Sequence, residues 1–251
     1  MSRLFWLSDA QWAAIEPHLP KNQPSARRVD DRRVISGIIH ILKTGCRWCD
    51  CPAEYGPPTT IYNRFNRWSR RRFWTGMLEA LTTCGAVTRS MALDSSSVKA
   101  QRSAFGGKGG PRAQAIGPSR GGQTTKIHAV TDVIGRPFLV ALTPGNVADV
   151  KAAPELLGRV DAAGSLIADK GYDADALRRV LRKAGTVPVI PGRSNRKRRV
   201  CYDRTRYRDR HLVENAFCRL KDFRRVATRY DKLAANFLSA VALAAVVAYW
   251  I

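Results

Sequence analysis

With 251 residues, 45% of them hydrophobic, the chain can bury one or two real cores and is too apolar to be disordered. Lysine and arginine number 43 against 20 acids, a formal charge of +23 spread along the whole length, so the natural partner is a polyanion, nucleic acid before an anionic membrane surface. The most apolar run, Phe237 to Ile251, contains Ser239 and falls short of the roughly 20 residues a membrane span needs. No partner membrane is expected.

The N-terminal stretch Met1 to Leu19 carries Asp9, Trp12 and Glu16 where a secretory leader would be basic and then apolar, so a cytoplasmic protein is expected. Ser8 and Gln11 form a capping-box start for a short helix through Trp12 and Ile15, with Leu7 as a possible staple, and Pro20 closes it. A basic link, Lys21 to Arg28, leads to a second helix rich in Val34, Ile35, Ile38, Ile39, Ile41 and Leu42, stopped by Gly45. Six cysteines, at 46, 49, 51, 84, 201 and 218, lack the even spacing of a disulfide scaffold. Cys46, Cys49 and Cys51 with His40 are too compact to match a usual zinc module.

Thr59 or Thr60 can cap a third helix, in which Phe65 and Trp68 face inward and Tyr62, Asn63, Asn66 and Arg67 point out. Side chains of these types read base edges in a major groove, which makes this a helix-turn-helix candidate. Thr60, Tyr62, Asn63, Asn66, Arg67 and Arg70, with Lys126 further on, are the expected DNA contacts. A fourth helix runs through Trp74, Met77 and Leu81.

The texture then turns strand-like, placing a domain boundary between 1–88 and 89–251. Met91 to Ser97 reads as a strand bearing Asp94, followed by a Gly- and Arg-rich tract, Lys99 to Gly122, expected to be a mobile, phosphate-facing loop. Its Gly106-Gly107-Lys108-Gly109-Gly110 lacks the Ser or Thr and the leading strand of a P-loop, so no nucleotide cofactor is expected. Thr124 to Val133 and Arg136 to Thr143 form a hairpin, and a helix through Leu156 and Leu157 follows. The strand Ser165 to Ala168 ends in Asp169, a helix spans Ala174 to Lys183, and Val187 to Ile190 is another strand. Arg193 to Arg199 is a charge run suited to a disordered or DNA-contacting loop. That order asks for a mixed sheet with helices on its faces, an α/β fold after a small all-α segment.

A helix ahead of the buried one expected over Phe237 to Ile251 carries Tyr207, Arg210, Glu214 and Lys221, which at roughly 100° per residue fall within an arc of about 60°, beside an apolar face of Val213, Ala216, Phe217 and Leu220. Acids at the ends of buried strands are costly unless paired. Three converging carboxylates suit magnesium, and two such ions activate the attacking and leaving oxygens of a phosphoryl transfer. From spacing alone Asp169 and Asp173 are interchangeable.

Leu93-Asp94-Ser95-Ser96, Asp169-Lys170-Gly171-Tyr172 and the spacing Tyr-x2-Arg-x3-Glu-x6-Lys from Tyr207 resemble the three acidic motifs of bacterial insertion-sequence transposases of the DDE type. Leu7 to Leu19, Thr44 to Trp48 and Tyr62 to Trp68 are similar to the helical DNA-binding segment that precedes them, so the resemblance covers nearly the whole chain. It implies a ribonuclease H-like catalytic domain behind a helix-turn-helix-like one. It also implies Asp94, Asp169 and Glu214 as ligands of two magnesium ions, with manganese as a substitute. Arg210 and Lys221 would hold DNA phosphates, with Tyr207 assisting. The implied activity is cleavage of double-stranded DNA at terminal repeats and strand transfer into target DNA, by a homodimer. A metal-dependent nuclease without strand transfer and an inactive DNA-binding protein are the alternatives. Cys49 and Cys51 depart from the family pattern without touching the acids.

Overall fold

The computed structural model describes residues 4–20, 30–83, 85–86 and 88–251. The basic link expected over Lys21 to Arg28 lies outside them. Helix α1 (Asp9–Ile15) starts at the Ser8 and Gln11 capping box, and α2 (Asp31–Thr44) is stopped by Gly45 in the left-handed conformation, φ +78°. A Cβ at Gly45 would also meet the Arg224 Cβ at 2.9 Å, so close approach and conformation both require glycine there.

Helix α3 (Pro58–Arg70) begins differently from the expectation: Pro57 is the cap and Thr59 and Thr60 are already helical. Proline needs no N–H partner in a first turn, so the Pro57-Pro58 pair sets the start without a hydroxyl cap. Helix α4 (Phe73–Thr83) completes the N-terminal group. Phe65 and Trp68 are buried as the periodicity requires.

The sheet begins with β1 (Ser90–Ala100) and continues through α5 (Gly110–Ala113), β2 (Gly117–Ser119), β3 (Gly122–Thr131), β4 (Pro137–Pro144), α6 (Ala153–Leu157), β5 (Ser165–Ala168), α7 (Asp175–Lys183) and β6 (Val187–Val189). After these come α8 (Arg204–Tyr207), α9 (His211–Lys221), α10 (Arg224–Ala227), β7 (Thr228–Arg229) and α11 (Ala234–Tyr249). The main sheet runs β4-β3-β1-β5-β6: β4, β3 and β1 pair antiparallel, and β5 and β6 join parallel to β1. Short β2 extends the β3 edge and β7 the end of β1. Three antiparallel strands continued by two parallel ones, with helices on both faces, is the ribonuclease H-like arrangement.

Alternation along β1 sends Ala92, Asp94, Ser96 and Val98 to one face and Leu93, Ser95 and Ser97 to the other. Ala92 and Val98 join a core with Val213, Phe217 and Leu220 of α9, the apolar side of α11, and helices α2 to α4. Leu93 joins the opposite core, with Leu156, Tyr172, Leu177 and Leu181. The helices before residue 88 therefore share one hydrophobic core with the C-terminal helices.

The tract from Lys99 to Gly122, expected to be a mobile loop, contains a 3-10 turn (Arg102–Gly106), α5 and β2. The Gln114 side chain donates to Lys108 O at 2.7 Å and accepts from Ala234 N at 2.7 Å, fastening the tract to the start of α11. Tertiary bonds of this kind leave no local trace in a Gly-rich sequence.

Candidate active site

Parallel pairing of β1 with β5 sets Leu93 opposite Ala168. The next residues on each strand are Asp94 and Asp169, so the register alone brings these acids side by side where β5 ends. The Asp169 carboxylate accepts from Gly171 N at 2.8 Å, and a Cβ on Gly171 would lie 2.8 Å from Asp169 Oδ1, which explains the glycine two residues after the acid. On the same face of β1, Lys221 Nζ donates to Ser96 Oγ at 2.6 Å, docking the C-terminal end of α9.

Arg210 joins the remaining acid to this pair. Its Nη1 meets Asp94 Oδ2 at 2.6 Å and its Nη2 bonds Glu214. The helix carrying these groups is not continuous: Arg208–Arg210 is a 3-10 turn between α8 and α9. In such a turn residues three apart eclipse, so Tyr207 and Arg210 stay neighbours, and Arg210 pairs with Glu214 one turn further on. Tyr207 stacks edge-on against Tyr202, ring centroids 5.4 Å apart, and burial raises its phenol pKa while Arg210 opposes the shift.

Burial pushes the Asp94 carboxyl up to about 6, against the Ser95 N–H and Arg210, and the neighbouring charges of Asp169 and Glu214 add to the rise. The three acids feel one another, with a guanidinium between two of them. Among the described residues no three His, Cys, Asp or Glu side chains stand together closely enough to hold a metal ion as placed.

The acids Asp169 and Asp173, interchangeable by spacing, have different surroundings. Asp173 accepts from Arg178 Nε at 2.9 Å and Nη2 at 2.8 Å, from Arg193 N at 2.8 Å and from Arg196 Nε at 2.5 Å. Burial pushes its carboxyl up, but Arg196, the Arg193 backbone N–H and Arg178 outweigh that and bring it down to about 2.

Among the expected DNA contacts, Asn63, Asn66, Arg67 and Arg70 line one open cleft of about 420 Å³ with Arg71. Asn66 also accepts from Asn236 Nδ2 at 3.3 Å, which ties the cleft to α11. Tyr62 is exposed and packs edge-on against Trp48, while Thr60 lies half-buried in the first turn of α3. Lys126 is elsewhere and engaged: its Nζ donates to Val147 O at 2.8 Å and Asp149 Oδ1 at 2.9 Å. Asp149 also accepts from Ser95 Oγ at 2.8 Å, so it braces β1 behind Asp94. No sequence signal marked Asp149, which follows an ordinary turn.

Two family models match the chain: "Putative transposase of IS4/5 family" over residues 7–78 and "Transposase DDE domain" over residues 86–250. The chain belongs to the DDE transposase family. As a member it is an enzyme that acts on DNA, and the family depends on divalent metal ions. A putative transposase for insertion sequence element IS6501 from Brucella ovis is 39% identical over 125 residues, 48% of this chain and 94% of that relative. A putative transposase for element IS402 from Burkholderia cepacia is 33% identical over 44% of this chain and 55% of its own length. The piggyBac transposase synaptic complex aligns with a TM-score of 0.41 at 14% identity over 76% of this chain, which spans 50% of that one.

Three carboxylates with hard oxygen donors, one of them held near pH 6 by burial and like charge, suit a divalent cation in their chemistry. As placed, the Arg210 guanidinium bridges Asp94 and Glu214.

Proposed function

We propose that the chain is the transposase of an insertion sequence, cutting DNA at the element's ends and joining the freed ends to target DNA, with Asp94, Asp169 and Glu214 as ligands of magnesium. The observation that carries this reading is the register that sets Asp94 beside Asp169, with Arg210 spanning from Asp94 to Glu214. The chemistry is attack of water on a phosphodiester at each end, then attack of the freed 3′ hydroxyl on the target. The ions, when bound, supply Lewis-acid polarisation of the attacking and leaving oxygens.

The protein's own cations do the rest. Arg210, released from the carboxylates, donates both arms of its guanidinium to a phosphate, and Lys221, fixed at Ser96, offsets charge as it grows on the phosphoryl oxygens. Tyr207 keeps its proton and donates to a neighbouring phosphate. The α3 cleft of Asn63, Asn66, Arg67 and Arg70 takes the terminal repeat as a helix in a major groove. Residues 1–88 are thus assigned to DNA recognition and 89–251 to catalysis, on a shared core. Two ends must be cut and joined together, so the active form is a homodimer. No helix among the described residues is long and apolar enough to cross a membrane, and we place the enzyme in the cytoplasm with its DNA.

The test is a labelled duplex carrying the element's own end, incubated with magnesium and either wild type or Glu214→Gln. The wild type is expected to cut and join it, and the variant to bind it without cutting. Equal cutting by both removes Glu214 from the site. Cutting without joining leaves a nuclease, and binding without cutting by the wild type leaves a DNA-binding protein.

A further inference from the structure

The basic segment after β6 meets the turn that follows Asp169 through Asp173, a link that the DDE chemistry does not use. Asp173 lies four residues past Asp169, directly after the 3-10 turn Lys170–Tyr172, with a side chain fully shielded from solvent. It holds Arg178 of α7 on one oxygen and the segment's Arg196 side chain and Arg193 N–H on the other. Arg193 then reaches back, its Nη2 donating to Gly171 O at 2.9 Å and its Nε to Lys170 O at 3.2 Å. Arg178 Nη2 donates to Ile190 O at 2.7 Å, closing the staple at the end of β6.

The result is a shallow cleft of about 490 Å³ in which Arg193, Asn195, Arg196, Lys197 and Arg198 surround the Asp173 and Asp175 carboxylates. Both acids in it are bonded to Arg196. Lys197, Arg198 and Arg199 continue the segment exposed to solvent. A loop of excess positive charge, bonded to the carbonyls directly after Asp169, is fixed relative to that acid. Flexible basic tails need no such anchoring.

We propose that the segment 193–199 is a phosphate clamp for the DNA duplex flanking the cleaved bond, and that Arg196, through Asp173, is the positioning residue that sets the clamp beside Asp169. The inference rests on the transposase reading above. Lys197 and Arg198 make the phosphate contacts, and Arg196 is occupied inside the protein.

The experiment is fluorescence anisotropy of a short labelled duplex of arbitrary sequence against the full chain, repeated over a range of salt concentrations. Each lost phosphate contact lowers the slope of log K against log salt by about 0.9. Lys197→Gln with Arg198→Gln should therefore lower it by about 2, and Lys197→Gln alone by about 1. Arg196→Gln removes one charge that makes no DNA contact, yet it releases the loop and should lower the slope by more than Lys197→Gln does. Arg196→Lys, which keeps the charge and a bond to Asp173, should restore it. The exposed double variant keeps the test independent of folding, because neither side chain is buried.

A slope unchanged in the double variant overturns the clamp. An Arg196→Gln effect no greater than that of Lys197→Gln, or one that Arg196→Lys does not rescue, overturns the positioning role. In either case wild-type binding leaves the transposase reading standing. A wild type that shows no salt-dependent duplex binding overturns both together.

Discussion

Asp94, on β1, and Asp173, just past the 3-10 turn that follows β5, are both sheltered from water and both bonded to arginine, and their surroundings drive them in opposite directions. Asp173 is surrounded by donors from Arg178, Arg193 and Arg196 and is held down to about 2. Asp94 has one shared guanidinium and two neighbouring acids, and burial pushes it up to about 6. A carboxylate whose lone pairs are all occupied braces structure. One that is buried beside like charges is short of cations and is where a metal binds with most gain.

The contrast is broken or sharpened first by removing each charge. Asp173→Asn leaves Arg178 buried without its counter-ion, so unfolding in urea should show a loss of about 3–5 kcal/mol. Asp94→Asn relieves like-charge repulsion and should show no loss. Equal losses in the two variants would mean that both acids are structural.

The next effect is in the acid range, where two groups act with opposite sign. The raised Asp94 carboxyl, about 6 against 3.8, contributes stability below pH 3.8 that is lost as pH rises through 6. His128, facing Ser95 across the sheet and pushed by burial to about 4 from 6.5, contributes stability above pH 6.5 that is lost as pH falls through 4. Each is worth roughly 3 kcal/mol at its full extent. Their sum in the wild type changes little between pH 4 and 6.5. Asp94→Asn uncovers the His128 contribution, so the variant's stability should climb with pH over that range by roughly the same 3 kcal/mol. A variant profile that stays parallel to the wild type would show that Asp94 is ionised normally.

How much of this was legible in the sequence follows from where each signal is stored. Apolar runs ending in an acid, Leu166 to Asp169 above all, identify buried strands and their exits, because periodicity and the cost of a buried charge are local properties. The outward face of α3 was equally plain from its spacing, and Asn63, Asn66, Arg67 and Arg70 do share a cleft. What was hidden is partner choice. Lys126, expected to contact DNA, donates to Asp149, a residue 23 positions away that composition cannot single out. The 3-10 turn at Arg208–Arg210 follows no residue that breaks helices, so a regular arc was the natural expectation. Spacing alone leaves Asp169 and Asp173 alike; beyond the motif resemblance, what sets Asp173 apart is the arginines that reach it from α7 and the following loop.

The measurement that tests the central claim most directly is manganese binding, followed by the electron paramagnetic resonance signal of the free ion, with a short duplex present. The wild type should bind the ion, and Asp94→Asn should weaken that binding by at least about tenfold at unchanged fold. Equal affinity in the two proteins would contradict the assignment of Asp94 as a metal ligand and with it the three-acid site.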